Sequence, residues 1–213
     1  MQDTTRHLGS WVLRMRRPDE VGPYAVVVLL HGLTGDENSM WFFAPRLPDT
    51  CLLIAPRAIY PISGGYSWRA VDTLPPSSLP SLDDFQAAVD ALSDLLSPAN
   101  FPVADFSRLH LVGFSQGAAL AYAFSLLYPE RITSLVAMAG FVPAGAETFT
   151  AGRPLQGKRL LIAHGRRDET IPVSLAHQAR DVMQSAGADV TYCEDDVGHK
   201  MGMKCLPALE NFF

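Results

Sequence analysis

A single serine lies between two glycines at a point where the sequence changes pattern. Residues 109–112 form a short apolar run typical of buried strands, and residues 118–124 are rich in alanine and indicate a helix. Between them, Gly113, Ser115 and Gly117 form a G-x-S-x-G arrangement. In a strand–turn–helix of this kind the glycines remove side chains that would collide, and the serine hydroxyl lies at a helix N-terminus that favours negative charge. The pattern therefore predicts that Ser115 is a nucleophile.

A serine hydroxyl needs help to attack a carbonyl carbon at neutral pH. It requires a base within hydrogen-bonding distance and a third group that fixes the tautomer of that base. His199 and Asp168 are the candidates, because each follows a predicted strand. Taken singly, His199 fits a solvated loop histidine and Asp168 fits a turn residue that bonds to its own backbone. Together with Ser115 they favour a catalytic triad.

Four other side chains compete for these roles. Asp195 and Asp196 are acidic, but they are too close to His199 in sequence to be the first choice for the orienting acid. His31 and His164 each precede a glycine, and we expect them to be structural turn residues.

Two backbone N–H groups are expected to bind the oxyanion that forms during attack. One belongs to Gln116, directly after the nucleophile, and the other to Leu33, in a glycine-punctuated loop after the apolar run at residues 25–30. Leu33 is inferred from position alone, and simple packing is the alternative for its side chain.

Strand and helix patterns alternate along the chain, which predicts an α/β fold with a mostly parallel central sheet and helices on both faces. The strand at residues 11–17 alternates apolar and polar side chains and is expected at an exposed edge. Further strands are expected at residues 25–30, 51–55, 109–112, 135–138, 159–163 and 189–193. Helices are expected at residues 39–47, 85–96, 118–128 and 175–186, with a short helix at the C-terminus.

Four chemically active side chains directly follow predicted strands: His31, Ser115, Asp168 and His199. The carboxyl ends of parallel strands share one edge of the sheet, which is where ligands bind in such folds. The four side chains are therefore expected to cluster there. The long connection at residues 57–80 is also expected to be a binding loop.

Length and charge limit the function further. The chain has 213 residues, so we expect a single domain over residues 1–213. A net charge of −5 without a basic patch gives no support to a nucleic-acid partner. The N-terminus lacks the apolar core of a signal peptide, and the longest apolar run is too short to span a bilayer. These features predict a cytoplasmic protein without integral membrane association, and they leave a homodimer open.

The cysteines and the remaining motifs predict neither disulfides nor cofactors. Cys51, Cys193 and Cys205 form no CxxC pair, and one would be left over in any pairing, so reduced thiols are expected. Residues 152–158 have the spacing of a phosphate-binding loop, but Arg159 stands where Ser or Thr is required and the run precedes a strand. No metal-ligand spacing is present in the sequence, and no metal or cofactor is expected.

Four motifs occur in a fixed order along the chain. They are Leu30-His31-Gly32-Leu33-Thr34-Gly35-Asp36, then Gly113-Phe114-Ser115-Gln116-Gly117-Ala118-Ala119-Leu120, then His164-Gly165 with Asp168 and Pro172, and finally Gly198-His199. Together they resemble the small carboxylesterase/phospholipase family that includes acyl-protein thioesterases. The resemblance implies an α/β-hydrolase without a large cap, acting on carboxylic esters or thioesters without metal or cofactor. It also implies the triad and the two oxyanion donors named above.

Two segments depart from the family pattern. Arg166 and Arg167 place positive charge beside Asp168, where they either face solvent or bias the protein toward anionic substrates. The loop that contains Trp68 and Arg69 continues into a proline-rich run of its own, so the acyl pocket cannot be transferred from the family. Our expected pocket lining is Trp68, Phe141, Ile171 and Met201.

The sequence thus predicts a serine carboxylesterase that forms an acyl-enzyme on a small-molecule or acyl-chain ester, with thioesters and lysophospholipids as variants. An amide or peptide hydrolase with the same triad is one alternative. A non-catalytic binding module on a hydrolase scaffold is another.

Overall fold

The computed structural model of the chain describes residues 2–71 and 79–213. Its strands are β1 (Gln2–Leu8), β2 (Trp11–Arg17), β3 (Tyr24–Leu30), β4 (Leu52–Pro56), β5 (Tyr60–Ile62), β6 (Gly65–Ser67), β7 (Ala104–Phe114), β8 (Ser134–Met138), β9 (Arg159–Gly165) and β10 (Asp189–Asp195). Its α-helices are α1 (Leu82–Leu95), α2 (Gln116–Leu127), α3 (Val173–Ser185) and α4 (Leu206–Glu210). Short 3-10 helices lie at Trp41–Arg46, Pro129–Arg131, Ala146–Phe149 and Met203–Cys205.

Eight of these strands form one sheet with the spatial order β1-β2-β4-β3-β7-β8-β9-β10. The six strands from β4 to β10 in this order pair in parallel, whereas β1 and β2 are antiparallel to their neighbours. Strands β5 and β6 form a separate antiparallel hairpin. The predicted α/β-hydrolase architecture, with a mostly parallel sheet and without a large cap in the described part of the chain, is confirmed.

The prediction that residues 11–17 form an edge strand is wrong. Strand β2 pairs with β1 on one side and with β4 on the other, so β1 is the edge. The sequence of β1 contains mostly polar residues, and its side chains from Asp3 to His7 are exposed. A strand made mostly of polar residues leaves no apolar pattern in the sequence, which is why it was missed.

Two apolar layers cover the faces of the sheet, and β3 contributes to both. Val26, Val28 and Leu30 face the larger layer, which α1, α2 and α3 cover, whereas Val27 and Leu29 face the smaller one. The 3-10 helix at Trp41–Arg46 and α4 cover the smaller layer. Because both faces are buried, β3 is apolar at successive positions, and each buried valine or leucine stabilises the fold by ~1.5–3 kcal/mol.

The prediction that all three cysteines are reduced thiols is wrong for two of them. Cys193 on β10 and Cys205 in the 3-10 helix at Met203–Cys205 form a disulfide, with their Cα atoms 5.8 Å apart. The prediction of reduced thiols therefore holds only for Cys51, which is buried and free. The pairing depends on the chain folding back from β10 along its own edge, which cysteine spacing alone does not reveal.

Within residues 2–71 and 79–213, none of the helices combines the length and the apolar character that a membrane crossing requires.

Candidate active site

Ser115 lies in the turn between β7 and α2, in a backbone conformation that residues other than glycine rarely adopt. Its φ is 53° and its ψ is −117°. The turn is held by the Ser115 N–H, which donates to the Met138 carbonyl oxygen at 2.9 Å. A Cβ atom on Gly117 would lie 2.1 Å from the carbonyl oxygen of Leu30, so only glycine fits there. The predicted G-x-S-x-G elbow is therefore present, and its strained serine is typical of a functional site.

His199 connects Ser115 to Asp168 through two hydrogen bonds. Its Nδ1 lies 2.7 Å from Oδ2 of Asp168, and its Nε2 lies 3.0 Å from Oγ of Ser115. An ionised carboxylate only accepts hydrogen bonds, so Nδ1 carries the proton and Nε2 accepts from the serine hydroxyl. These three side chains are 31 and 84 residues apart from one another along the chain, yet they form one continuous chain of hydrogen bonds.

The carboxylate of Asp168 is buried and held from several sides. Its side chain is 0% exposed. Oδ1 accepts hydrogen bonds from the backbone N–H groups of Thr170 and Ile171, each at 2.9 Å. His164 lies behind it, with Nε2 donating to the Ile171 carbonyl oxygen at 2.8 Å and standing 3.5 Å from Oδ2 of Asp168. These contacts fix the direction in which Oδ2 faces His199.

The two rival carboxylates are engaged elsewhere. Asp195 accepts hydrogen bonds from the backbone N–H groups of Lys204 and Asp196, which lower the pKa of its carboxyl. Asp196 pairs with Arg167 at 3.0 Å. Arg167 is exposed, as is Arg166, so both guanidinium groups face solvent and neither lines the cavity at Ser115.

Leu33 and Gln116, the two predicted oxyanion donors, lie in the loop after β3 and at the start of α2. Gln116 is the first residue of α2, so its N–H has no acceptor within the helix. Leu33 lies in a tight loop in which the Gly35 N–H donates to the Gly32 carbonyl oxygen, and the Thr34 N–H donates to Tyr66. Both residues line the cavity beside Ser115.

His31 stabilises this loop through hydrogen bonds and makes none to Ser115. Its Nε2 accepts a hydrogen bond from the Ala58 N–H at 3.0 Å, so Nδ1 carries the proton and donates to the Gly32 carbonyl oxygen at 2.7 Å. Burial lowers the pKa of His31. A neutral imidazole with both nitrogen atoms in use acts as a structural link.

A cavity of about 700 Å³ opens beside Ser115 and His199. Phe141 and Ile171, two of the four predicted pocket residues, line it. The lining also includes residues that were not among the predicted pocket residues: Gly32, Thr34, Arg69, Leu79, Pro80, Phe114, Thr170 and Leu175. Leu175 carried a usable signal, because it begins the apolar stripe of α3, and Arg69 is adjacent to a tryptophan that was singled out.

Trp68 and Met201 do not line the cavity, so their prediction as pocket residues is wrong. Trp68 is 0% exposed, and its indole N–H donates to the His31 carbonyl oxygen at 2.8 Å. Met201 is partly buried and packs against the smaller apolar layer. The sequence places both residues near the site but does not show which way their side chains point.

The arrangement brings a serine hydroxyl, an imidazole, a buried carboxylate and two residues predicted as backbone donors together around a mostly apolar cavity. In the part of the chain that the structure describes, no three His, Cys, Asp or Glu side chains are grouped as a metal site would require. Together these parts are suited to acyl transfer.

Comparison with known proteins identifies similar chains among carboxylesterases and acyl-protein thioesterases. The family model described as Phospholipase/Carboxylesterase matches residues 18–213. A probable carboxylesterase of Oryza sativa subsp. japonica is 28% identical over 203 residues, which cover 88% of this chain and 81% of the relative. Acyl-protein thioesterase 1 of Yarrowia lipolytica is 24% identical over 181 residues, covering 78% and 79% of the two chains. The crystal structure of a carboxylesterase from Mesorhizobium loti matches with a TM-score of 0.81 at 22% identity, over 98% of this chain and 97% of the other.

Proposed function

Since the chain belongs to the phospholipase/carboxylesterase family and is therefore a hydrolase of ester bonds, we propose that it is a serine carboxylesterase working through Ser115, His199 and Asp168. The observation that supports this most directly is the unbroken chain of hydrogen bonds from Oγ of Ser115 through His199 to Asp168, at the wall of a cavity. The substrate is a small-molecule or acyl-chain ester. Thioesters and lysophospholipids are variants of this substrate that differ in the leaving group.

In the first half-reaction, Oγ of Ser115 attacks the acyl carbon of the ester. Nε2 of His199 takes the hydroxyl proton as the new C–O bond forms, and Asp168 stabilises the imidazolium that results. The N–H groups of Leu33 and Gln116 bind the negative oxygen of the tetrahedral intermediate, and each such donor typically contributes about 10²- to 10³-fold in rate. His199 then gives its proton to the leaving oxygen or sulfur, and the bond to the leaving group breaks.

In the second half-reaction, water replaces the leaving group. His199 takes a proton from this water, and the resulting hydroxide attacks the acyl carbon of the acyl-enzyme. The bond from Oγ of Ser115 to the acyl carbon then breaks, His199 returns the proton to Ser115, and the carboxylic acid leaves. The enzyme ends in its starting state, so each turnover consumes one ester and one water.

Replacement of the nucleophile tests this mechanism. Ser115→Ala should lower kcat on a 4-nitrophenyl ester by roughly 10⁶-fold, as loss of a triad nucleophile does in other serine hydrolases. A fluorophosphonate probe should label the wild type and leave Ser115→Ala unlabelled.

Ser125→Ala is a matched control. Ser125 lies on the same helix as Gln116, is buried, and donates to the Tyr122 carbonyl oxygen, away from the cavity. This variant should hydrolyse the ester and react with the probe like the wild type. Retention of most of the activity in folded Ser115→Ala would contradict the mechanism.

The cytoplasmic location stays a prediction, to be checked by cell fractionation. The homodimer that the sequence leaves open is to be checked by light scattering.

A further inference from the structure

The cavity beside Ser115 contains one permanent charge among its described lining residues. Most of its wall is apolar, and no acidic side chain of the described residues lines it. Arg69 is the exception, since its guanidinium group is always protonated. In the described part of the chain this group donates to the Ala70 carbonyl oxygen at 3.0 Å and pairs with no carboxylate. A guanidinium group has five N–H donors, so most of them are available to a ligand.

The backbone around Arg69 is held by hydrogen bonds to Gln116, which follows Ser115, and to His31, which precedes the loop of Leu33. The N–H of the preceding residue, Trp68, donates to Oε1 of Gln116 at 2.9 Å, and the Trp68 indole donates to the carbonyl oxygen of His31. The hydroxyl of Ser67 donates to the Arg69 carbonyl oxygen at 2.7 Å and also contacts Gln116. Arg69 is thus fixed to the elbow and to the oxyanion loop at once, and only its flexible side chain is left to adapt.

The positive charge of Arg69 is opposite in sign to the net charge of the whole molecule. The chain has a net charge of −5, which repels anions, so nothing about its general field would favour an anionic ligand. A cation on an apolar wall, by contrast, attracts an anion more strongly than it would in water, because the local dielectric constant is lower. The planar fork of a guanidinium group also matches the two oxygens of a carboxylate.

We propose that Arg69 determines substrate specificity by binding a carboxylate group carried by the ester substrate. This inference rests on the proposed function, because it concerns the substrate of the same site. The carboxylate belongs either to the acyl part, as in a half-ester of a dicarboxylic acid, or to the alcohol part, as in an acylated hydroxy acid. In both cases water cleaves the ester bond to give an acid and an alcohol, and the recognised carboxylate takes no part in the chemistry.

Two pairs of esters separate these sources. For the acyl part, mono-4-nitrophenyl adipate is compared with 4-nitrophenyl hexanoate, which has the same acyl chain length without the charge. For the alcohol part, 4-acetoxybenzoate is compared with 4-acetoxybenzamide. The kcat/KM ratio within each pair is measured for the wild type, Arg69→Gln, Arg69→Lys and Arg166→Gln, so that the intrinsic reactivity of the esters cancels between variants. Thermal melting of each variant shows that it is folded.

The ratio for at least one pair should fall by about 10- to 100-fold in Arg69→Gln, which is the usual effect of losing a hydrogen bond to a charged group. Arg69→Lys should keep part of the preference, because it retains the charge without the fork. Arg166→Gln removes an exposed cation near Asp168 and outside the cavity, and should keep the wild-type ratio.

Three outcomes overturn the inference. Ratios in Arg69→Gln equal to those of the wild type exclude a role for this side chain. An equal loss of preference in Arg166→Gln assigns the effect to the general field of positive charge. In both cases hydrolysis of the neutral esters leaves the proposed function standing. Absence of hydrolysis of all the esters, together with absence of fluorophosphonate labelling, overturns the proposed function and this inference with it.

Discussion

The hydrogen bond between Asp168 and His199 decides which nitrogen of the imidazole faces Ser115. With the proton on Nδ1, the lone pair of Nε2 points at the serine hydroxyl. Sequence order and position after predicted strands selected these three residues as candidates over Asp195 and Asp196, and the structure joins them by hydrogen bonds. The sequence was not enough to predict the pocket, since the direction of a side chain such as Trp68 depends on the hydrogen bond from its indole N–H to the His31 carbonyl oxygen, which no local pattern encodes.

Asp168→Asn should lower kcat by about 10⁴-fold while the protein stays folded, as the same change does in other triads. The amide can still accept the N–H groups of Thr170 and Ile171, so the turn survives. Its NH₂ group then faces Nδ1 of His199 and forces the proton onto Nε2, which can no longer accept from Ser115. Steady-state kinetics on a 4-nitrophenyl ester measures the effect.

Asp196→Asn is the matched control for this prediction. Asp196 is much nearer to His199 in sequence, but its carboxylate pairs with Arg167 and faces solvent. Activity close to that of the wild type is expected. An equal loss in the two variants would show that sequence proximity, and not the contact at 2.7 Å, identifies the acid.

At the scale of elements, the apolar pattern determined how much could be predicted. Helix α2 is buried along nearly its whole length, and its continuous apolar sequence indicated that. The start of α1 carries a local signal too, because Ser81 and Asp84 form a capping box, with the Ser81 N–H donating to Asp84 at 2.7 Å. Strand β1 and the β5–β6 hairpin were missed, because β1 is mostly polar and the two hairpin strands are only 3 residues long, too short for a periodic apolar pattern. Residues 72–78 of the predicted binding loop lie outside the described residues.

The segment from β10 to α4 holds His199, and the Cys193–Cys205 disulfide closes it into a loop. Replacing both cysteines with alanine should lower the free energy of unfolding by about 3 kcal/mol, the loop-closure entropy expected for a ring of this size. Alanine is the suitable replacement, because Cys205 is buried and a serine hydroxyl there would lack solvent. Urea unfolding of the wild type and the double variant measures the difference.

A reducing agent provides the control for the disulfide. The phosphine TCEP should lower the stability of the wild type to about that of the double variant and should leave the double variant unchanged. Cys51 is present in both proteins, so its reactivity cancels. A wild type whose unfolding midpoint does not move on full reduction would exclude a stabilising role for this bond.

At the scale of the whole molecule, the strand order brings the site together. Strand β7, which ends in the elbow, has β3 on one side and β8 followed by β9 and β10 on the other. The loops after β3, β7, β9 and β10 therefore meet at one edge, and they hold Leu33, Ser115, Asp168 and His199. This convergence follows from parallel pairing alone, which is why alternating strands and helices were sufficient to predict it.

The same central strand gives the protein a dependence of stability on pH. His110 lies on β7, with Nδ1 2.8 Å from Oγ of Ser134. Burial, together with the nearby cations Arg159 and Arg108, lowers the pKa of His110 from 6.5 to about 4. The unfolded chain thus binds a proton near pH 6.5 that the folded chain binds only near pH 4, so this residue stabilises the fold fully above pH 6.5 and loses that contribution as the pH falls to about 4.

His110→Gln should therefore reduce the loss of stability on acidification. The melting temperature of the wild type is expected to fall more steeply than that of the variant between pH 6.5 and about 4, and the two curves should run parallel above that window. The buried His31 acts in the same direction, but it is present in both proteins and cancels in the comparison. His7→Gln is the control, because His7 is exposed on β1 and its replacement should leave the wild-type slope intact. Identical slopes for the wild type and His110→Gln would contradict the assignment, since they would mean that the folded and unfolded chains bind the His110 proton equally well.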